Sequence, residues 1–468
     1  MSRCPLLYLI PLVFPLLSFS QMRREDIHTD FVLYPKRTML EKDLRERVIG
    51  KNFSIPLDSN TEYRYESACN AISQFLFHSP EVEQGFSRLF AGYDQLSSDT
   101  RRAFLEAVYA VDPKTHCIPI RAILEKETDP KLFAICAAYL HRCDTATDNT
   151  NFLKIRMVEK FPGYDSVPIL LELESWLTIH EAAAAGKTPD PGELFAWQAT
   201  TGQKIIYSFQ RWDRDYPGLA IVQNSNGRFV RDQQGRLQIF YQLARSGSDL
   251  PYFITNGSTP QGIYSIQGTG VSRTYFIGPT PNLQLIMPNE DSWARYFLAG
   301  RDSAAWSGAA DPKSLLGAGS PGSGSSGSAL GSAGSTQDSL LRYQSLLPAG
   351  WRGYAPMMEA WHAGKIGRTE IIAHGTTIDP EYFKGRPFYP LTPTMGCLCA
   401  KELWNPTSGR LLESEQFGLV SAFLSTPGSK GYLYVIDVDD QRKPVSRQEV
   451  EGWVKKFEDQ KSPAGAGL

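Results

Sequence analysis

Long apolar runs are scarce in this chain of 468 residues. The first 20 residues, MSRCPLLYLIPLVFPLLSFS, hold the one clear example. Its apolar stretch, Leu6 to Leu17, falls short of the roughly 20 residues that cross a bilayer, and two prolines interrupt it. No later segment is apolar enough to span a membrane. An excess of charge is also missing, since 48 Lys and Arg face 50 Asp and Glu for a net of -2. Nucleic acid as a partner is excluded on that ground, because it needs a concentrated basic face. Cysteine and histidine are sparse, at seven each. No Cys-x-x-Cys pair is present, so zinc has only weak support from His116-Cys117 and His141-Arg142-Cys143. No metal or cofactor is expected.

What remains is an ordinary globular composition with room for two or three domains. Residues 1–20 read as a secretory signal. Arg3 supplies the positive start, Leu6 to Leu17 the apolar core, and Ser18-Phe19-Ser20 the small residues before a cut near Gln21. An uncleaved anchor is the rival reading. A signal implies an exported protein, periplasmic or associated with the cell envelope. Cys4 leaves with it. In an oxidising compartment Cys69, Cys117, Cys136 and Cys143 are expected to form one or two disulfides, with the pairing open.

The texture predicts a multidomain α + β chain. Residues 21–182 read as an all-helical domain. SSDTRRAFLEAVYAVD starts at candidate caps Ser97 and Ser98, and TDPKLFAICAAYLHRCD at Thr128 or Asp129, with Pro130 in the first turn. Leu132, Ile135, Cys136 and Tyr139 make an apolar stripe. SVPILLELESWL, from Ser166, is a further helix. Paired-helix repeats and a plain bundle both fit this spacing. Residues 183–199 read as a linker, because 182–194 are rich in small residues, Pro and Gly.

From 200 to 440 the chain reads as mostly β. LAIVQ (219–223), GRFVRD (227–232), RLQIFYQLAR (236–245), YFITNG (252–257), GIYSIQG (262–268), TYFIG (274–278), LQLIM (283–287) and YLYVIDV (432–438) are expected strands. A helix is expected around APMMEAWHAG (355–364). Residues 302–340 form an expected flexible insertion, whose centre, 317–335, is almost wholly Gly, Ser and Ala. It suits a lid or a tolerated surface insertion. Residues 441–468 read as a C-terminal helix and tail.

The chemistry concentrates in AHGTTIDPEYFKGRPFYPLTPTMGCLCAKE, residues 373–402. It sets His374-Gly375 before a Pro/aromatic loop that ends in Gly396-Cys397. A nucleophilic cysteine needs an exposed thiol beside an imidazole, and a preceding glycine lets the backbone approach a substrate. The rival is a Cys397 that is buried or paired with Cys399. Cys399 shares a strand face with it, but i, i+2 cysteines seldom reach disulfide geometry, so Cys399 reads as a packing residue.

These residues resemble the active-site signature of the L,D-transpeptidase (YkuD-like) family, a His, a loop, then [Ser/Thr]-His-Gly-Cys. STPQGIYSIQG, residues 258–268, is similar to the family's upstream Thr-Pro-x-Gly strand, with Thr259, Pro260, Gly262, Tyr264 and Ile266 matching. The resemblance covers roughly residues 205–440. It implies an L,D-transpeptidase-like domain acting on peptidoglycan stem peptides, in peripheral contact with the cell wall, with no cofactor. His374 would take the proton from Cys397. The Gly396 and Cys397 N–H groups would face the oxyanion, and an acceptor near Gly375 or Thr376 would orient the imidazole. Thr394, Met395, Arg386, His362 and Tyr264 are the expected substrate-binding positions. Lys401, Trp351, Trp361 and Tyr389 are weaker candidates beside the cleft. Met395 stands where the family usually has a second His, Cys399 where it has a polar residue, and the loop from His374 to Cys397 is long. The implied product is a 3→3 cross-link through a Cys thioester. Water as acceptor, or a non-catalytic wall-binding protein, are the alternatives. The helical domain would position the enzyme or bind a protein partner.

Overall fold

A computed structural model describes residues 23–181, 187–298 and 336–461. The expected signal, residues 182–186 and residues 299–335 of the Gly/Ser-rich stretch lie outside them. The fold is mixed α + β, a helical layer followed by an eight-stranded barrel. No helix among the described residues is long and apolar enough to cross a membrane.

Helices Glu62–Phe75, Pro80–Gly92, Ser98–Val111, Cys117–Lys126, Pro130–Cys143, Thr147–Lys160 and Pro168–Glu181 build the helical layer. Their starts follow capping chemistry. The Ser97 hydroxyl accepts from Thr100 N–H, and Oδ1 of Asp129 accepts from Lys131 and Leu132 N–H ahead of Pro130. The expected stripe on Pro130–Cys143 is wider than predicted. Every residue from Leu132 to His141 is buried, because four neighbouring helices surround this one. Cys117 and Cys143 form a disulfide with a Cα separation of 6.2 Å. That overturns zinc at these two positions. Cys69 and Cys136 are free thiols in the core. His116 and His141 pack on aromatic rings, Phe90 and Trp176, each at 5.0 Å.

The barrel runs β1 (Ile205–Gln210), β10 (Gly431–Asp437), β4 (Gly262–Gly270), β5 (Asn282–Ile286), β6 (Ile372–His374), β7 (Leu398–Ala400), β3 (Phe240–Leu243) and β2 (Gly218–Gln223), closing on β1. Only β1–β10 and β6–β7 are parallel; the other pairs are antiparallel. Strand β1 is buried throughout, so it reads as a continuous apolar run. Ile205, Tyr207 and Phe209 face Val450, Val454 and Phe457 of helix Arg447–Lys461. Ile206 belongs to the opposite cluster, with Leu419, Val420 and Phe423 of helix Glu415–Leu424. A hairpin, β8 (Glu402–Trp404) and β9 (Leu411–Ser414), stands beside the barrel.

Several expectations are corrected. GRFVRD, YFITNG and TYFIG form turns and isolated bridges rather than strands. Much of the expected linker is helix Pro191–Thr201, capped by Asp190, with Leu194 and Phe195 in the core. The end of the expected insertion starts helix Thr336–Ser345. The first described residues pack on the hairpin instead of the helical layer, with Ile27 and Val32 against Trp404 and Leu411.

The two layers share one core. Leu250, Phe253 and Ile254, before β4, join the helical cluster, as do Ile378, Phe383, Phe388 and Leu391 from the loop between His374 and Cys397. Charged helix residues grip the first of these loops, through Arg142 to Asp249 at 3.2 Å and Glu106 to the Asn256 amide at 3.1 Å.

Candidate active site

Strands β6 and β7 bring the two ends of the motif together. They pair in parallel, with Ala373 opposite Leu398 and His374 opposite Cys399. Residues two apart on a strand share a face, so Cys397, immediately before β7, lies on the face of Ile372 and His374. Register alone therefore unites a histidine and a cysteine 23 positions apart in the sequence.

His374 is buried, and its Nδ1 hydrogen-bonds the carbonyl of Gly375. That contact fixes the tautomer: Nδ1 carries the proton, which leaves Nε2 as a free base. Burial, partly opposed by this bond, lowers its pKa to about 4. The acceptor is itself held firmly. A Cβ at Gly375 would fall 2.1 Å from the Glu402 carboxyl. Oε2 of Glu402 accepts from Thr376 N–H at 2.9 Å, and Trp404 Nε1 donates to the Thr376 carbonyl at 2.8 Å. Glu402 is buried, its pKa raised to about 7 by desolvation, and Ser414 donates to it. Thr376 is thus a buried support for the Gly375 carbonyl and does not touch the imidazole.

Cys397 is partly exposed. Its Sγ lies 3.5 Å from Ile372 N–H and 3.5 Å from the Glu370 carbonyl. The surrounding protein pushes the thiol up to about 11, opposed by the Ile372 N–H and by Arg368. No hydrogen bond joins it to His374 among the described residues. Catalytic hydrogen bonds commonly tighten only with substrate bound.

The turn before Cys397 is built by three residues. Gly396 has φ +116°, and a Cβ there would meet Nη2 of Arg368 at 2.4 Å, so glycine is required. The Thr394 hydroxyl accepts from Gly396 N–H at 3.0 Å and donates to the Cys397 carbonyl at 2.8 Å. Thr259, from the upstream motif, donates to the Gly396 carbonyl at 2.9 Å. Gly396 N–H is therefore occupied, which corrects its expected place facing an oxyanion. The Cys397 N–H has no partner among the described residues and keeps that role open. Thr394 shapes the turn.

Arg368 lies beneath this turn and carries no sequence signal. It is buried, and it donates to the carbonyls of Tyr252, Gly257 at 3.0 Å and Ser258 at 2.9 Å. Its pKa falls to about 10 through burial, offset by Tyr264 and Cys397. Its charge favours the Cys397 thiolate. It also lines a cavity of about 240 Å³ with Lys131 of the helical layer and Lys365.

The other expected contacts scatter. Tyr264 is fully buried and donates to the Pro260 carbonyl at 2.8 Å, so it is a core residue and not a substrate contact. His362 faces Glu172 of the helical layer at 3.4 Å. Arg386 is exposed on the long loop, and Met395 is exposed at the turn. Trp351 and Trp361 are core. Tyr389 donates to Glu381 at 2.6 Å, and Lys401 pairs with Glu413 at 3.1 Å. Cys399 is a buried free thiol 3.6 Å from the Thr392 hydroxyl, pushed up to about 12 by burial.

No protein-family model, curated protein or solved structure matches the chain.

Proposed function

We propose that this protein is a cysteine-dependent acyltransferase of the L,D-transpeptidase type, exported to the cell envelope and acting on peptidoglycan stem peptides. The observation that carries the reading is the pairing of β6 with β7. It sets a tautomer-fixed, neutral imidazole on the same face as a part-exposed thiol preceded by a positive-φ glycine. The resemblance of residues 258–268 and 373–402 to the family signature supplies the substrate.

In this mechanism Nε2 of His374 takes the Cys397 proton as Sγ attacks the carbonyl carbon of the stem's third residue. With a thiol near 11 and an imidazole near 4, the resting pair is neutral, so proton transfer accompanies attack. The Cys397 N–H faces the oxyanion, and Arg368 stabilises negative charge from below. The imidazolium then protonates the departing D-Ala amine, leaving a thioester. An amine from a second stem attacks it, giving a 3→3 cross-link. Lys131 and Lys365 offer cations for stem carboxylates in the cavity that Arg368 also lines.

Water is the second acceptor to consider, because Cys397 is part-exposed without a covering segment among the described residues. That would give a carboxypeptidase. Incubating purified disaccharide-tetrapeptide with the protein, beside a Cys397→Ala control, separates these readings by mass spectrometry. A dimer lacking one D-Ala is the expected product. D-Ala release without dimer indicates hydrolysis, and no change in either sample counts against an enzyme of stem peptides.

A further inference from the structure

A group of ligand-type side chains lies in the helical layer, apart from Cys397. His78 sits in the turn between helices Glu62–Phe75 and Pro80–Gly92, Glu83 in the first turn of the latter, and Asp112 at the end of Ser98–Val111. Nε2 of His78 lies 2.9 Å from Oε1 of Glu83 and 3.2 Å from Oδ1 of Asp112. His116 approaches from the far side, with Nε2 3.8 Å from Oδ2 of Asp112. Asp112 is only 7% exposed. Its Oδ2 and the His116 Nε2 are both buried, and neither has a hydrogen-bond partner. Leaving two buried ligand atoms unpaired is costly, and here the two face each other.

The spacing fits a cation. With metal–ligand bonds of about 2.1 Å, tetrahedral ligand atoms lie roughly 3.4 Å apart. His78, Glu83 and Asp112 each offer one ligand atom, all within 4.8 Å of one another, and the two separations from His78 Nε2, 2.9 and 3.2 Å, lie close to that value. Two carboxylates balance a divalent ion, and imidazole with carboxylate favours zinc-like metals over calcium or magnesium. The ligands are also preset. The Tyr139 hydroxyl donates to the Asp112 carbonyl and accepts from His116 N–H at 3.0 Å, which fixes the turn from 112 to 116. Phe86 and Phe90 pack on the His116 ring and dry that side, while His78 is half-exposed and leaves an entry path.

We infer that His78, Glu83 and Asp112 form a structural site for zinc or a similar divalent transition metal, with His116 beside Asp112. It ties together the ends of three helices beside the Cys117–Cys143 disulfide. A protonated His78 bridging the two carboxylates would need no metal, and titration separates the two accounts.

The full chain carrying Cys397→Ala, so that the part-exposed thiol adds no ligand, is stripped with EDTA. It is then titrated with Zn2+ by calorimetry and with Co2+ by visible absorption. The expected result is one ion per chain, a cobalt ligand-field band, and a higher unfolding temperature with Zn2+. His78→Ala and Glu83→Ala, both at part-exposed positions that leave the packing intact, should each weaken Zn2+ binding by at least about tenfold. Failure to bind one Zn2+ per chain overturns the site, as does binding that both variants retain unchanged.

Discussion

The two strands that carry the site hold their residues in different ways. On β6, His374 is fixed from the hairpin beside the barrel, through the Gly375 carbonyl, Glu402, Trp404 and Ser414. Before β7, Cys397 stands on a turn held by Thr394, by Thr259 and by the buried Arg368. Arg368 in turn holds the carbonyls of the loop that Arg142 and Glu106 of the helical layer grip. His374 rests on the barrel and its hairpin, whereas the position of Cys397 depends on the helical layer as well. The helical layer thus helps to hold Cys397 in place.

The sharpest break in that comparison is chemical. Cys397→Ala and His374→Ala should each cut turnover by at least about 10³-fold, with the double variant little worse, because the pair acts as a unit. Release of D-Ala from a tetrapeptide measures it. Gly396→Ala comes next. It forces a side chain into φ +116° and onto Arg368, so it should lower stability by about 3 kcal/mol in denaturant unfolding, whereas an alanine at exposed Gly452 should change little.

Acidity tests the two sides separately. Because burial holds His374 near 4, the acid limb of kcat/KM should fall near pH 4 and not near 6.5. Between those values the unfolded chain binds a proton at this position that the folded chain does not, so this group costs stability as pH falls. Glu402, Asp437 and Glu172, raised to about 7, and Glu359, raised to about 8, act in the opposite sense. Each keeps in the folded state a proton that the unfolded chain has released, so stability drains as pH rises from about 5 to 8. Four carboxyls against the two imidazoles of His374 and His362, both lowered by burial, predict a higher unfolding temperature at pH 5.5 than at pH 8, read by calorimetry.

The smallest effect probes the link between layers. Asn256→Ala removes the amide that Glu106 accepts and should cost about 1 kcal/mol. It should slow alkylation of Cys397 or D-Ala release by a few-fold while leaving the His374 acid limb in place. Equal effects on both sides would erase the distinction between them.

Much of the frame was legible in the sequence. Turn signals and β-branched runs located β2, β4, β5 and β10, and capping residues located the starts of the long helices. The motif itself was visible because histidine and cysteine are rare enough here to stand out beside a glycine. Arg368 and Glu402 were not visible, since a lone charged residue reads as solvated until the fold buries it. The occupied Gly396 N–H and the buried Tyr264 hydroxyl failed for a related reason. A motif lists residue types, but the partner that uses up each polar atom comes from a distant segment. GRFVRD and YFITNG have strand composition, yet the first meets its neighbours only in isolated bridges and the second turns to fill the helical core.

The most direct test of the account is intact-mass analysis of the protein after brief exposure to a disaccharide-tetrapeptide. The account predicts an adduct equal to the donor less D-Ala, placed on Cys397 by peptide mapping and absent from Cys397→Ala. No adduct together with no D-Ala release, or an adduct that survives Cys397→Ala, would contradict it.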